Sequence, residues 1–492
     1  MPVVIFILFF SIGLALREGA LMDPDTAWHL AAGDLIRKLG HLPASDPWSY
    51  TAGDQPWYNI SWGYDVVLSK LHEIGGLPAL VVASIGLYAL AVSLTGWVAL
   101  KSSKSVIASL FVTALSGFVL LPGMLARPQG LTFLFVIGFY ALLRFGRARL
   151  PYLLPLLMIF WANIHGGFLA GFVIGAAFFA EALAARDFAR CRRLVILGAL
   201  CGLALLVNPY GWRLVDAAQL TMTSAMKEVL SEWRPAAIGG ANAVTFFVAA
   251  FFLVSALYER RIPLADKLLA CFWLAAGLAS ARMMQIAALL SAPYLAQALA
   301  LRLRQSPIGS AIEKRDAAYG GDLARPAVRT ALLVLAFGLV VAAFAPPVQK
   351  ALAGKDKAFA AFPARTSPQA ALDYLEADYP YLRIYNEYGM GGYLVLRGDG
   401  RTKVFFDGRA DTAYPREVLK DGVAIGLMGA ARRAGPEDMT AWRGLVAKYG
   451  VEGFLISDRM RLYDMLLRLP DWTKVYEDDD AALFVRKDLV QR

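Results

Sequence analysis

At 492 residues, 58% of them hydrophobic and 18% charged, with a mean hydropathy of +0.50, the chain is too apolar for an ordinary water-soluble globular protein. Its net charge of +10 would suit nucleic acid, but the basic excess sits mostly in short loops between apolar runs. Basic residues there set membrane topology, so no nucleic-acid partner is expected.

The first apolar run, 2–17, lacks the basic start of a signal peptide and reads as an uncleaved span. Just beyond it comes Asp23-Pro24-Asp25, followed by Trp28-His29. Two acids, an imidazole and an indole at the lip of a bilayer are costly in structural terms and point to function. Asp25 opens a predicted helix over 26–39, with Trp28, Ala32, Leu35 and Leu39 at helical spacing, which would lie in the membrane interface. His29 is four residues from Asp25 and shares its face. Asp25 is either a helix cap, a role Asp fills well, or a catalytic carboxylate; Asp23 either orients it or shares its task. The pair could also hold a divalent cation, Mg²⁺ or Mn²⁺, though two acids without a third ligand make a poor site, and no other cofactor or metal is implied. Residues 48–64 then hold six aromatics: Trp48, Tyr50, Trp57, Tyr58, Trp62 and Tyr64. They suit an interfacial aromatic belt or a platform for sugar rings or an isoprenoid tail.

Further apolar runs lie near 77–100, 105–121, 130–143, 151–163, 167–185, 194–208, 242–258, 263–280, 286–301 and 329–346. Counting the first, this makes about eleven transmembrane helices of an α-helical polytopic membrane protein. With the N-terminus cytoplasmic, the inner loops carry Lys101/Lys104, Arg144/Arg147/Arg149, Arg186/Arg190/Arg192/Arg193, Arg260/Arg261 and the basic stretch 303–328, which reads as a flexible loop. The short outer loops carry little beyond Arg127 and Arg282, as the positive-inside rule requires. The expected organisation is a membrane domain over 1–346, with a large first outer loop 18–76, and an extracytoplasmic α/β domain over 347–492. In that tail helices are predicted over 368–378 and 438–449. Extended runs are predicted at Leu382 to Tyr385, Lys403 to Phe406, Gly453 to Ile456, Lys474 to Tyr476 and Ala482 to Val485. The three cysteines, Cys191, Cys201 and Cys271, lie in or beside apolar segments, so the tail carries no internal disulfide.

This topology gathers the unusual polar clusters on the outer face. Besides the first loop they are Arg127-Pro128-Gln129, Asn163-Ile164-His165-Gly166-Gly167, Asn208-Pro209-Tyr210-Gly211, Glu232-Trp233-Arg234 and Arg282. Arg127 and Arg282 either snorkel to the interface or clamp a phosphate head group. His165 is either a satisfied turn residue or a polar group at a close backbone approach. In the tail, Asp407 and Arg409 end a predicted strand as a surface ion pair or turn, or else contribute to substrate binding.

Asp23-x-Asp25-x-x-Trp28-His29-Leu30-x-x-Gly33, with Leu42-Pro43-x-x-Asp46-Pro47-x-Ser49-Tyr50-Thr51 and Pro56-Trp57, resembles bacterial multi-span glycosyltransferases of the GT-C class. Trp161-x-Asn163-x-His165-Gly166-Gly167 and Asn208-Pro209-Tyr210-Gly211 are similar to the same group. So are Gly391-Gly392-Tyr393-Leu394 and Phe406-Asp407-Gly408-Arg409-Ala410-Asp411 of the tail. The chain has neither a WWD tripeptide nor an adjacent Asp-Glu pair in the first loop, the marks of protein-glycosylating members of the class. The resemblance implies a multi-pass enzyme of the bacterial inner membrane that moves a sugar from a polyprenyl-phosphate carrier to an extracytoplasmic glycan, lipid or protein acceptor. It carries acceptor activation to Asp25 first and Asp23 second. With His29 orienting the base and Arg127, His165, Arg282, Trp28, Trp57, Asp407 and Arg409 around the substrates, direct displacement would invert the anomeric centre. The other reading is a non-catalytic transporter of lipid-linked saccharides or an envelope-assembly protein, which would more often place polar groups deep within several spans.

Overall fold

The computed structural model describes residues 1–16, 20–53, 55–147, 149–222, 224, 226, 233, 235, 257, 259–322, 326–344, 362, 366–398, 401–428 and 436–490. In chain order the helices used below are α1 (Pro2–Ala15), α2 (Asp25–Leu39), α3 (Trp62–Ser103), α4 (Val106–Leu120) and α5 (Gln129–Phe145). They continue with α6 (Leu154–Ala162), α7 (Leu169–Ala184), α8 (Phe188–Ala204), α9 (Arg213–Met222), α10 (Leu264–Ala279) and α11 (Met284–Arg304). After α12 (Gly309–Asp322) and α13 (Pro326–Phe344) come α14 (Gln369–Asp378) and α15 (Tyr388–Arg397). The chain forms two compact units, each assembled from three segments: Met1–Ala20, Pro78–Trp212 and Leu230–Lys355 in one, and Leu21–Leu77, Arg213–Val229 and Asp356–Arg492 in the other.

The first unit is apolar and helical. Among the described residues four helical stretches are long and apolar enough to cross a membrane: Trp62–Ser103, Val106–Gly123, Gly166–Ala184 and Ala281–Arg304. Shorter apolar helices lie at Pro2–Ala15, Gln129–Phe145, Leu150–Ala162 and Thr330–Ala343. The expected span at 242–258 falls almost wholly outside the described residues. Small residues bring the helices together, as they do where lipid gives no hydrophobic drive. A Cβ at Gly117 would meet Phe9 at 2.2 Å, one at Gly13 would meet Ile85 at 2.6 Å, and one at Gly96 would meet Ile5 at 2.5 Å.

The 42-residue α3 is two helices joined at a kink, where Gly75 (φ −145°) and Gly76 (φ +64°) leave helical geometry just before Pro78. Only the part beyond the kink is a span, as hydropathy predicts from residue 77. The arm over residues 62–74 belongs to the other unit. Two expectations on the inner side change. The basic stretch 303–328 is not a loop throughout: it contains α12, whose Asp316 carboxylate accepts the N–H groups of Val106 and Ile107 at 2.9 and 3.1 Å and so caps α4. Arg144 is no loose topological cation either. It bonds both oxygens of Glu181 at 2.9 and 3.0 Å and Asp266 at 2.7 Å.

The second unit contains a four-stranded sheet of order β1-β2-β4-β3, formed by β1 (Ile384–Asn386), β2 (Gly453–Ile456), β3 (Trp472–Glu477) and β4 (Ala482–Arg486). β1 and β2 are parallel, and the other two pairs are antiparallel. The helix α14 and a helix at Pro436–Lys448 accompany it where the sequence predicts them. The predicted strand at Lys403 to Phe406 is not in the sheet. Val404 instead pairs with the first loop, its N–H reaching Trp48 O at 3.1 Å and its carbonyl accepting the Tyr50 N–H at 3.3 Å. No sequence pattern announced α15, whose three glycines argue against a helix; it forms because it lies against α2. The first two turns of α2 are accordingly buried from Thr26 to Gly33. Gly33 permits the contact on the other side, since a Cβ there would come within 2.0 Å of the Asp65 carbonyl.

Candidate functional site

The start of α2 decides what Asp25 can do. Pro24 is the N-cap residue and has no side chain to bond with; Asp23 fills the gap, its Oδ1 accepting the Asp25 N–H at 2.8 Å. The capping bond expected of Asp25 therefore belongs to Asp23, and Asp25 is the first helical residue. Its carboxylate lies in the positive field of the helix N-terminus.

The tail closes over this turn at two glycines. A Cβ at Gly392 would meet the Pro24 carbonyl at 2.5 Å. A Cβ at Gly408 would stand 1.7 Å from Asp25 Oδ1 and 2.9 Å from Trp28 Nε1. The two tail motifs singled out in the sequence thus supply the surfaces on which the first-loop motif is seated. Trp28 is 8% exposed and its indole N–H has no hydrogen-bond partner among the described residues.

One turn on, His29 is buried and stacked on Trp28, ring centroids 3.6 Å apart, with Tyr64 edge-on at 5.5 Å. Its Nδ1 lies 2.6 Å from Asp65 Oδ1, and Asn59 Nδ2 donates to Asp65 Oδ2 at 2.7 Å. Burial pushes the Asp65 carboxyl above the usual carboxylate range, with His29 and Asn59 opposing that rise. Asp65 was missed in the sequence. The available signal was a lone acid on a stripe of Ser61, Tyr64, Leu68 and Ser69, buried residues at helical spacing.

Asp407 and Arg409 are not at a surface. The Arg409 side chain is fully enclosed; its Nε bonds Asp407 Oδ1 at 2.9 Å, Nη1 bonds Asp46 Oδ1 at 2.6 Å, and Nη2 bonds Asp407 Oδ2 and the Tyr414 hydroxyl at 2.7 and 2.9 Å. Trp48 and Trp57 place their rings 4.9 and 5.0 Å from the guanidinium. Trp57 is 2% exposed, and Tyr50 bonds the Ile384 carbonyl at 3.1 Å. Burial pushes the Asp46 carboxyl up, but the charge and hydrogen bond of Arg409, with Ser49 and the Trp48 N–H, outweigh it and hold Asp46 below its ordinary value. The arrangement is a brace joining the first loop to the tail.

The remaining expected site residues belong to the first unit. His165 caps the turn Gly166–Phe168: its Nδ1 accepts the Gly167 N–H at 3.1 Å and the Thr132 hydroxyl at 2.8 Å, while Thr132 accepts from Trp161 Nε1 at 2.9 Å. Nδ1 is thus an acceptor, which leaves the proton of the neutral ring on Nε2. Arg127 is half-buried in the turn leading to α5. Arg282 lies in the turn before α11, its guanidinium 4.9 Å from the Trp233 ring. Gly123 against Gln285 and Thr132 against His165 show that these three turns adjoin at one end of the unit. Glu232 and Arg234 fall outside the described residues. Among the described residues no three His, Cys, Asp or Glu side chains come together in a group able to hold a metal ion, and one Asp23 oxygen is taken by the Asp25 N–H.

No protein-family model matches the chain, and no curated protein matches it. Among solved structures, the oligosaccharyltransferase of Archaeoglobus fulgidus in its apo form is similar over 93% of this chain and 69% of that one, with TM-score 0.52 and 13% identity. The same enzyme tethered to an acceptor peptide containing the NVT sequon gives TM-score 0.52, 14% identity and the same coverage. ArnT from Cupriavidus metallidurans, bound to undecaprenyl phosphate, gives TM-score 0.45 and 14% identity over 98% of this chain and 97% of that one. Identity this low speaks for the fold alone. At that level the chain shares its fold with the Archaeoglobus fulgidus oligosaccharyltransferase.

Proposed function

We propose that the protein is a membrane glycosyltransferase that moves a sugar from a polyprenyl-phosphate-linked donor to an acceptor outside the cytoplasm, with inversion and with Asp25 as the base. The observation that carries this reading is the seating of the Asp25 carboxylate against Gly408 while Asp23 does the capping. Asp23 already makes the capping bond of this turn, so capping is not what calls for a carboxylate at Asp25. Tail and first loop form one unit, which fits the expected placement of both on the outer side of the inner membrane, with the N-terminus cytoplasmic.

In the proposed step the acceptor oxygen attacks the anomeric carbon as Asp25 takes its proton. The bond from that carbon to the phosphate oxygen breaks, and the polyprenyl phosphate leaves with the electron pair. Arg127, Arg282 and the Nε2–H of His165 are the cationic and donor groups assigned to that phosphate. The likeness to an enzyme solved with an acceptor peptide supports an acceptor partner in general. The missing WWD and Asp-Glu motifs favour an envelope glycan or lipid over protein. No step is routed through a divalent cation. The test is transfer of a labelled sugar from a polyprenyl-phosphate donor by purified protein in liposomes. Wild type transfers and Asp25→Asn, equally abundant in the membrane, does not. Full activity in Asp25→Asn removes the base, and a wild-type protein that moves lipid-linked saccharide without transferring it is the transporter instead.

A further inference from the structure

The pair His29–Asp65 has no part in the step above beyond orientation, yet it is built like a proton-holding device. Asp65 is fully buried in the arm of α3 ahead of the kink, with both carboxylate oxygens occupied, one by His29 Nδ1 and the other by the Asn59 amide. With Asp65 ionised its oxygen can only accept, so the ring proton sits on Nδ1 and Nε2 is the acceptor. Nε2 makes no hydrogen bond among the described residues. His29 follows Asp25 by one helical turn, so the two side chains project from the same face of α2.

We infer that His29 Nε2 is the final holder of the acceptor's proton, and that Asp65 and Asn59 are positioning residues that fix His29 in the tautomer able to take it. This rests on Asp25 as the first base. Asp25 accepts the proton as the new glycosidic bond forms and the phosphate departs; the proton then passes to His29 Nε2, restoring the Asp25 carboxylate and leaving an imidazolium against Asp65. Electrostatics favours that direction. With a neutral imidazole, the enclosed pair carries the uncompensated charge of a desolvated carboxylate, whereas the arriving proton turns it into a neutral ion pair. The Trp28 face at 3.6 Å adds a cation–π contact that only the protonated ring enjoys. A bolt that merely joined α2 to α3 would serve equally well with two neutral partners and needs no open nitrogen.

The experiment is chemical rescue of sugar transfer in liposomes. His29→Ala loses about a hundredfold or more in kcat, the ordinary worth of a proton-transfer group, with KM for donor and acceptor little changed. Added imidazole restores a measurable part of that rate. The double variant His29→Ala/Asp65→Asn is not rescued, because the added imidazole meets no carboxylate to orient it. His29→Gln, which can still donate to Asp65 and keeps the helices joined, folds normally and is as slow as His29→Ala. An active His29→Gln, or rescue indifferent to Asp65, overturns the inference while leaving Asp25 and the transferase reading intact. Absence of transfer by wild type overturns both.

Discussion

Gly408→Ala tests the seating of Asp25 without removing any functional group. The new methyl carbon would stand 1.7 Å from Asp25 Oδ1, 2.7 Å from its Cγ and 2.9 Å from Trp28 Nε1. Ordinary contact needs about 3.5 Å, so the carboxylate must retreat by roughly 1.5–2 Å or the tail must lift from α2. Overpacking of this kind costs about 1–3 kcal/mol, a modest drop in melting temperature for a unit of this size. The effect on rate is larger, since displacing a reacting group by about 1 Å can cost on the order of a hundredfold. The assay is kcat for transfer beside the thermal unfolding curve of the same preparation. Gly444→Ala is the control: it lies in the helix Pro436–Lys448 with nothing within 4 Å of its Cβ, so it leaves the rate unchanged and raises stability by about 0.5–1 kcal/mol. Gly408→Ala with wild-type kcat would refute the assignment of Asp25, because a base cannot be moved this far and still meet the acceptor.

Arg409→Leu leaves Asp407 and Asp46 buried without their cation and destabilises the second unit by about 3–5 kcal/mol, read as a lowered unfolding midpoint; an unchanged midpoint would mean the brace carries no stability. The same brace sets an acid limit. Because folded Asp46 titrates below its ordinary value of 3.8, the unfolded chain binds the proton first, and the stabilisation is complete above that value. It is lost as pH falls from about 4 through the lower folded value, and Arg409→Leu flattens this part of the stability–pH curve. Arg127→Gln and Arg282→Gln each raise KM for the lipid donor several-fold more than KM for the acceptor, measured in the same liposomes; equal effects on both would place them away from the phosphate.

The features written in local sequence were legible and the long-range ones were not. The span boundary at residue 77 was visible in the hydropathy, and the kink at Gly75-Gly76 before Pro78 falls beside it. The strands at Gly453–Ile456 and Ala482–Arg486 were visible as short β-branched and aromatic runs. The partner of Arg409 was invisible, since Asp46 lies 363 residues away and neither residue carries a mark of the other. The same holds for His29 and Asp65, 36 residues apart on different helices. The extended run at Lys403 to Phe406 shows how a correct local reading goes astray: the segment is extended, but its hydrogen-bonding neighbour is the first loop and not the sheet. Among the aromatics of 48–64, Trp48 and Trp57 flank the buried Arg409, a partner that no local pattern announces.

The two histidines assigned to the reaction show opposite hydrogen-bonding states, and the difference follows from what faces Nδ1. Opposite His29 is a carboxylate that can only accept, so Nδ1 keeps the proton and Nε2 is basic. Opposite His165 are a backbone N–H and a hydroxyl, so Nδ1 accepts and Nε2 carries the proton. Exchanging these surroundings would put a hydrogen-bond donor where the proposed chemistry must accept a proton, and a bare lone pair where a phosphate oxygen gathers charge. Each histidine lies on a segment that carries part of the glycosyltransferase-like motif set, and the proposed reaction asks His29 to accept a proton and His165 to donate to a phosphate oxygen.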